Sequence, residues 1–593
     1  MINRKQIVRE LLSTYPMKRL LEFGEKTEFA SPPPASGQYD VIFLEEYHSY
    51  EGAYSAIEQA IGLLAEDGVI VIHNCKPTNE VIGLPSNSYA VIDPEVRAAN
   101  HKAWTGDVWK AIVRLRSTRS DVSVVTLDCD WGCALITLEK ASNVLCFSLD
   151  EVDAMTFADL AGNELDLLNT KSADYFYTYL LHHRYGLRGE RTSLYVEDVA
   201  GFTKGCIQDY ELAESPQTQI IENGVILPVK KLTERGAFSG GVCNEEGTFV
   251  AGHQRNQMRE DIYGNISYSY PFSDDIPFMD ETVVYGGFVY GAYGHMILEC
   301  LSRMWWFLEH RNCGYKFVFI SLDNKMYYLD FFLMLGLSQE DIIVLDEPTR
   351  FRSIIIPNQL TFTTGSGYRQ KAMTVFDAIR DSVEPSPHKK VYLTRLQFTP
   401  RDTVGEEYFV DHYRGLGYEI IAPERLSITE QVSLMAGAEE VVCLSGTLHH
   451  QILFCHNGIN VTVLNKTEIP LMPEFWINQA RSANCTFIDI SENFLPCRNF
   501  RLGFLLAPTV HWKRYIRDHY PHLSAQDIDI HSYVGDYVEI WAGLFARQAL
   551  VDLKAFSRYT LADLVINIQK YLLQRELNAA TQTKLRDAFT RVE

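Results

Sequence analysis

The sequence predicts an α/β protein built from Rossmann-like parallel sheets in three successive blocks. In each block, short apolar segments alternate with amphipathic segments of helical period, a rhythm typical of parallel strands covered by helices. The 593 residues exceed what one hydrophobic core can serve, so several domains are expected. A polar segment with Pro385 and Pro387 separates the second block from the third. Two such lobes predict a ligand cleft at the carboxyl ends of their strands.

The predicted blocks divide the chain into five parts. The strand Tyr39–Glu45 (YDVIFLE) belongs to the first α/β block, and a less regular region with an aromatic helical surface at 175–179 follows that block. The boundaries that we predict are 1–140 for the first α/β block, 141–232 for a linker and helical region, 233–388 and 389–497 for the two later lobes, and 498–593 for a helical C-terminal region.

Charge, hydropathy and cysteine usage narrow the class of protein. Lys and Arg number 54 against 76 Asp and Glu, so the net charge of −22 gives no general attraction to nucleic acid or an anionic bilayer. No stretch approaches the ~18 apolar residues of a membrane span, and the N-terminus lacks the apolar block of a secretory signal. The 12 cysteines are dispersed, and the closest pair, Cys129 and Cys133, has no second pair to complete a zinc site. We therefore expect a cytoplasmic protein with reduced thiols.

The sharpest local pattern lies in the second block. His295, Glu299 and Arg303 stand at i, i+4 and i+8 of one expected helix, so they are predicted to share a face. The glycine-rich segment 286–294 precedes them and is expected to form a loop where backbone approaches a ligand. A histidine beside a carboxylate can act as a general base, with the arginine as a charge clamp. Spacing alone favours an ordinary Glu299–Arg303 pair on a helix surface, whereas the apolar neighbours of these residues indicate a partly buried face.

Ordered motifs in both later blocks resemble a known family. The segment YGHMILECLSRMWWFL is similar to the Gly-His-x-x-x-Glu-x-x-x-Arg segment of glycosyltransferase family 61. LGL at 335–337, IIVLDEPTRF and SIIIPN at 353–358 follow the order of that family's first lobe. VYLTR, ending at Arg395, and GYEIIAPERLSITEQVSLMAGAEEVVCLSGTLHHQILF follow the order of its second lobe. The resemblance covers approximately residues 235–489 and rests on the set rather than on any single motif.

The resemblance implies a GT-B-type fold and an inverting sugar transfer from a nucleotide-sugar donor, UDP-linked, without a required metal or other cofactor. An inverting transfer needs one base for the acceptor hydroxyl, and His295 is the first choice, with Glu299 second and Arg303 orienting Glu299. The donor-binding residues that we predict are Arg395, Arg401, Glu430, Gln431, Gly446, Thr447, His449 and His450.

Each donor role has a physical reason. Arg395 lies at a strand end, where its guanidinium can pair with the diphosphate. Ser445, Gly446 and Thr447 open a helix whose N-terminal amides form an anion site, and Glu430 could hold the ribose hydroxyls.

Each donor residue also has a plain structural alternative. Arg395 could lie on the surface, the two histidines at 449 and 450 on a helix face, and Glu430 at a helix N-terminus. The chain also departs from the family, because Ser445-Gly446 replaces a common His-Gly and Gly405 replaces an expected Asn.

The first block resembles a second family. LLEFG at 20–24, YDVIFLEEYHSYEGA at 39–53, GVIVIHNCKP at 68–77 and DCDWGCALI at 128–136 are similar to S-adenosylmethionine methyltransferase family 24. Glu45 and Asn74 occupy its two acidic positions, while His48 and His73 match its histidines. The stretch from Glu25 to Gln38 is too short for the glycine-rich turn, helix and second strand of a cofactor pocket. We therefore predict a degenerate methyltransferase-type domain that does not use S-adenosylmethionine.

The sequence leaves three functions open. The first is a glycosyltransferase that acts on a glycan acceptor, for example a bacterial surface polysaccharide. The second is an S-adenosylmethionine-dependent O-methyltransferase of a sugar or small molecule, and the third is a non-catalytic binding scaffold. Homo-oligomerisation, or docking of a partner through the N-terminal domain, fits any of these.

Overall fold

The first sheet in the computed structural model is a six-stranded mixed sheet of order β1-β2-β3-β5-β4-β6. The strands β1, β2 and β3 run parallel to one another, whereas β5 is antiparallel to both β3 and β4. These strands are β1 Leu20–Gly24, β2 Tyr39–Glu45, β3 Leu64–Ile72, β4 Ser123–Asp128, β5 Cys133–Thr137 and β6 Thr170–Ser172.

The structure describes most of the chain. The described ranges are 2–24, 38–141, 143–181, 183, 192–231, 238–250, 275–289, 291–321, 328–362, 367–467, 470–495 and 502–549. The chain divides into two compact units, Met1–Gly186 and Leu187–Glu593. The predicted region 141–232 contributes residues to both units. The stretch 25–37, on which the argument against a cofactor pocket rests, lies outside the described residues, as do residues 550–593 of the predicted helical C-terminal region.

Helices cover both faces of the first sheet. Along β2 and β3, Ile42, Leu44, Ile70 and Ile72 point into one core, and alternate residues such as Val41 point into the other. This alternation gives both faces an apolar surface to bury, as expected for a sheet between two helical layers. The helices of this unit are Arg4–Ser13, Tyr50–Leu63, Ser86–Ala90, Pro94–Asn100, Trp109–Thr118, Leu149–Ala154, Phe157–Leu168 and Tyr175–Leu180, with a 3₁₀ turn at His101–Ala103.

The second unit contains a seven-stranded mixed sheet of order β10-β9-β14-β11-β12-β13, with β8 paired to β14. The strands β14, β11, β12 and β13 run parallel, so the long strand β11 has a parallel neighbour on each side. The strands are β8 Thr218–Glu222, β9 Val225–Lys231, β10 Phe238–Cys243, β11 Phe278–Val289, β12 Lys316–Ser321, β13 Ile342–Leu345 and β14 Thr349–Pro357.

The other large sheet of the second unit is entirely parallel. Its order is β17-β15-β18-β19-β20-β7, which places β18 in the interior. Because all six strands run the same way, the segments that follow them meet at one edge. The strands are β7 Thr192–Tyr195, β15 Lys390–Leu393, β17 Glu419–Ile421, β18 Glu440–Leu444, β19 Asn460–Asn465 and β20 Asn484–Asp489. A short parallel pair joins β16 Thr403–Val404 to β21 Phe504–Leu505.

Helices connect the strands of the second unit. Those longer than one turn are Val199–Ile207, Trp305–Glu309, Leu329–Leu335, Met373–Arg380, Glu406–Gly415, Ile428–Gly437, Met472–Ala480, Val510–His519 and His531–Ala549. Short 3₁₀ segments are Gln339–Asp341, Gln370–Ala372, Pro423–Arg425 and the longer Thr447–Phe454. The mixed α/β architecture with parallel sheets is therefore confirmed. No helix among the described residues is long and apolar enough to cross a membrane.

Candidate active site

The segment with His295 follows the interior strand β11, but it is not the regular helix that the spacing predicts. An α-helical turn at Tyr293–His295 passes into a π-helical turn at Met296–Cys300 and a 3₁₀ turn at Leu301–Arg303. Leu301 N donates to Met296 O, the i to i+5 bond of a π-helix. Single π-turns occur frequently at functional sites, because they reposition side chains that a straight helix would misdirect.

Side chains from the segment after β14 explain the irregular turn. The hydroxyl of Thr361 donates to Leu298 O, so this carbonyl has a partner outside the helix. The hydroxyl of Ser302 accepts a bond of 3.3 Å from Leu360 N. Insertion of side chains into the hydrogen-bond ladder is a recognised cause of helix distortion. Both hydroxyls are completely buried, so this contact fixes the π-turn in the core.

His295 and Glu299 form the close pair that the sequence predicts. The imidazole Nδ1 lies 2.8 Å from Glu299 Oε1. The His295 side chain is 36% exposed, whereas that of Glu299 is only 6% exposed. A buried carboxylate thus supports one nitrogen of a half-exposed imidazole, an arrangement that suits proton transfer.

Arg303 interacts electrostatically with Glu299, but among the described contacts it forms no hydrogen bond or ion pair with that residue. Its guanidinium donates instead to Pro357 O at 2.6 Å, and it lies 6.0 Å from the centre of the Tyr285 ring. A π-turn and a 3₁₀ turn separate Arg303 from His295, so the i+8 spacing no longer describes the face of one regular helix. Arg303 is 3% exposed, and in the structure it anchors the turn to the end of β14.

The glycines before this turn do not form the single ligand-binding loop that we expected. Gly286 and Gly287 lie within β11. A Cβ on Gly286 would lie 2.2 Å from the ring of Phe319. The pairing of β11 with β12 also shifts register by a bulge at this point. The residue that makes the close approach is Gly294. A Cβ there would lie 2.8 Å from His450 Nδ1 and 3.2 Å from Thr447 Cγ2. The turn with His295 therefore contacts the segment that follows β18.

That second segment begins at the carboxyl end of β18. Gly446 has φ 122°, a left-handed conformation that favours glycine, and the 3₁₀ helix Thr447–Phe454 follows it. Gly446 N donates to Glu474 Oε1 at 2.7 Å, so this amide already has a carboxylate partner. Within the described residues, the amides of Thr447 and Leu448 donate to no acceptor. The predicted anion site at Gly446 and Thr447 is thus reduced to the two amides beyond Gly446.

Arg395 lies at the carboxyl end of β15, on the same edge. Its Nε and Nη2 bond the two carboxylate oxygens of Asp402 at 3.2 and 2.7 Å, and the guanidinium lies 4.0 Å from the centre of the Phe398 ring. Arg401 donates to Thr403 O and forms an ion pair with Glu407. Arg395 is 14% exposed and rigidly oriented, whereas Arg401 is 40% exposed.

Glu430 and Gln431 have local structural partners. The carboxylate of Glu430 closes a capping box with Ser427 at the start of its helix, which is the structural alternative considered above. Hydrogen bonds from Ser427 lower the pKa of Glu430. Gln431 donates to Pro423 O and Leu426 O and so braces the turn before the helix. These contacts account for both residues without a ligand.

His449 and His450 are buried in the 3₁₀ helix after β18. His449 Nε2 lies 2.9 Å from Asn478 Oδ1, and burial lowers the pKa of His449 to about 4. Burial also lowers the pKa of His450 to about 3, with a smaller repulsive contribution from His449 and His295. Both rings are therefore neutral at physiological pH, and His450 contacts the turn with His295 rather than the solvent.

Three buried charged residues on this edge were missed by the sequence analysis. Glu406 accepts from Arg395 N at 2.9 Å and from the Thr394 hydroxyl at 2.8 Å, and burial raises its pKa to about 6. Lys466 follows β19, and Glu474 lies in the next helix; both are less than 5% exposed. The available signal was a charged residue directly after a buried parallel strand, as at Lys466. No group of three or more metal-ligating side chains occurs among the described residues.

Comparison with known proteins defines the class of this site. Residues 293–462 match a family model of glycosyltransferases, so the protein is a glycosyltransferase. The matching model is that of Glycosyltransferase 61, and the matched segment contains every site residue predicted from the sequence. No curated protein matches the chain.

Proposed function

We propose that the protein is an inverting, metal-independent glycosyltransferase that moves a sugar from a UDP-linked donor to a glycan acceptor. The observation that carries this proposal is the contact between two segments of the second unit. Gly294 places the turn with His295 directly against His450 and Thr447, at the segment with the free N-terminal amides. A base for the acceptor and a binding site for the donor phosphates are thereby adjacent.

His295 is the proposed base. The bond of 2.8 Å to Glu299 favours the tautomer with the proton on Nδ1, which puts the lone pair on Nε2. Nε2 then removes the proton of the acceptor hydroxyl as its oxygen attacks the anomeric carbon from the face opposite the leaving group. Glu299 stabilises the imidazolium that forms, in the way that a buried carboxylate supports a catalytic histidine. This division of roles follows from the exposure of His295 and the burial of Glu299.

Fixed protein groups are proposed to take the place of a metal at the leaving diphosphate. The amides of Thr447 and Leu448 supply donors at a helix N-terminus, and Arg395 supplies a charge held in position by Asp402. Such preorganised groups can stabilise the charge that develops on the leaving oxygen. In this proposal Arg401, Glu430 and Gln431 support the donor site through local structure.

The proposal also covers the cellular location of the enzyme and the role of the first unit. Free thiols at all described cysteines and the acidic composition support a cytoplasmic enzyme that acts on a glycan, for example during synthesis of a bacterial surface polysaccharide. We assign no methyl transfer to the first unit, whose proposed role is that of a degenerate methyltransferase-type docking domain. Paired GT-B lobes within the second unit are proposed from its two large sheets.

The test is a transfer assay with a panel of UDP-, GDP- and ADP-sugars and oligosaccharide acceptors, read by mass spectrometry with and without EDTA. We expect a UDP-sugar to support transfer, EDTA to leave the rate unchanged, and NMR of the product to show the opposite anomeric configuration from the donor. Loss of transfer in EDTA with recovery in Mn²⁺ would refute metal independence. Retention of configuration would refute the single-base mechanism.

A further inference from the structure

Lys466 is a buried cation on the carboxyl edge of the all-parallel sheet. It follows β19, its backbone amide donates to the hydroxyl of Ser445 at 3.2 Å, and the residue is 4% exposed. Among the described residues, the ammonium forms no ion pair and no hydrogen bond, and the hydrogen bond of Lys466 to Ser445 is made by its backbone amide. The ammonium lies 4.5 Å from the centre of the Phe504 ring.

The acids near Lys466 have hydrogen-bond partners of their own, and none of them contacts the ammonium, although one oxygen of Glu474 has no partner. Asp402 is held by Arg395, Glu406 by Arg395 N and the Thr394 hydroxyl, and Glu474 by Gly446 N. An ammonium has three donors, and burying it without partners costs several kcal/mol. Burial raises the pKa of Glu474 to about 8, which weakens this neighbour as a counter-charge for the ammonium. The arrangement is therefore cationic and incomplete without an anion.

The ammonium lies beside the free amides described above. Its Nζ is 3.8 Å from the position that a Cβ would take on Gly446, directly before Thr447 and Leu448. A Cβ at Gly446 would also be strained, because φ is 122° there. The absence of a side chain leaves the path between the ammonium and the helix N-terminus open. Two independent anion-binding features, a helix N-terminus and a buried cation, thus converge on one point.

We propose that Lys466 binds the diphosphate of the nucleotide-sugar donor, together with the amides of Thr447 and Leu448. This inference rests on the proposed function and extends it to a residue beyond the matched family segment, which ends at residue 462. In the reaction, the acceptor oxygen forms a bond to the anomeric carbon while the bond from that carbon to the diphosphate oxygen breaks. The electron pair stays on the diphosphate, the hydroxyl proton passes to His295, and Lys466 offsets the added negative charge.

Calorimetry with inorganic pyrophosphate and with UDP, GDP and ADP tests the proposal. Wild-type protein is expected to bind pyrophosphate and one of the nucleotides, and Lys466→Met is expected to weaken both by at least about tenfold, because it removes a buried charge-assisted contact. The affinity of the parent nucleoside should stay within about twofold. Lys390→Met is the matched control, since this lysine lies at the opposite end of the same sheet and pairs with Glu440 on the surface.

A second variant separates charge from folding. Lys466→Arg keeps the cation and is expected to retain pyrophosphate binding, with one difference. Burial lowers the pKa of Lys466 to about 8, so the pyrophosphate affinity of the wild-type protein should fall as pH rises through that value. The arginine variant should not show this fall in affinity. Equal pyrophosphate affinity in wild type and Lys466→Met would overturn the inference and leave the proposed function intact. Wild-type protein that binds none of the four probes would overturn both.

Discussion

Replacing Gly294 by alanine tests whether the catalytic turn and the segment after β18 are held in contact. The added Cβ would lie 2.8 Å from His450 Nδ1 and 3.0 Å from His450 Cε1, which is about 0.6 Å closer than ordinary contact at 3.4 Å. His450 is 8% exposed and Gly294 is buried, so neither side can move into solvent. The backbone of Gly294 is not left-handed, so steric overlap is the effect that remains.

The expected cost follows from overpacking of a tight contact. Forcing one methyl group into a filled site costs about 1–3 kcal/mol, or the two segments separate by a fraction of an ångström. Misplacement of a reacting group on that scale can reduce turnover by about 10²-fold. We therefore expect Gly294→Ala to lower the urea midpoint of the second unit, or turnover, or both. A second replacement, His450→Ala, should relieve the overlap, so the effects of the two should not add.

Urea denaturation and initial-rate kinetics with a saturating donor measure these effects. Gly415→Ala is the matched control, because this glycine ends the helix Glu406–Gly415 and an added Cβ there meets nothing within 4 Å. If Gly294→Ala behaves like Gly415→Ala in both assays, the contact between His295's turn and His450 does not exist in solution. Strict additivity with His450→Ala would refute the steric explanation in the same way.

Two further predictions concern charge. Arg395→Lys keeps the positive charge but loses the two-point bond to Asp402 and the stacking on Phe398, so donor affinity measured by calorimetry should fall about tenfold. The control, Arg414→Lys at an exposed position, should leave donor affinity unchanged. Unchanged donor affinity in Arg395→Lys would remove Arg395 from the donor site. Burial lowers the pKa of His449 to about 4 from 6.5, so the stability that the neutral ring provides is complete above pH 6.5 and is lost progressively as pH falls from 6.5 to about 4. Urea unfolding at pH 7 and pH 4.5 should show a loss of roughly 2–3 kcal/mol from this group, which His449→Gln abolishes; a variant as acid-sensitive as wild type would contradict this.

The repetitive parts of the fold could be predicted from the sequence, because burial on both faces of parallel strands leaves an apolar pattern. The strand Tyr39–Glu45 has the predicted bounds, and the strand at 390–393 ends just before Arg395 as expected. The helix after Tyr39–Glu45 ends at Leu63 and β3 begins at the next residue, although no proline marks the boundary in the sequence. Strand pairing decided that boundary, and local sequence does not encode it.

The pair of His295 and Glu299 could also be predicted, because i and i+4 are close in both an α-helix and a π-turn. The position of Arg303 could not be predicted from the sequence. The π-turn before it depends on the hydroxyls of Ser302 and Thr361, which form hydrogen bonds between segments that are distant in the sequence. Lys466 escaped notice for a related reason. In the sequence, a lysine that follows a strand resembles a surface residue. Its burial follows from the position of β19 between β18 and β20, which the sequence does not give.

The most direct test of the central claim is steady-state turnover of His295→Ala and Glu299→Gln, with donor affinity measured on the same samples. A general base contributes about 10²–10⁴-fold, so His295→Ala should lose turnover by that factor while the donor dissociation constant stays within about twofold. Glu299→Gln should lose less, because the carboxylate supports the imidazole through the bond of 2.8 Å. The exposed His388→Ala serves as the control. Near-normal turnover in His295→Ala, with the fold intact, would show that this histidine is not the base and would contradict the account.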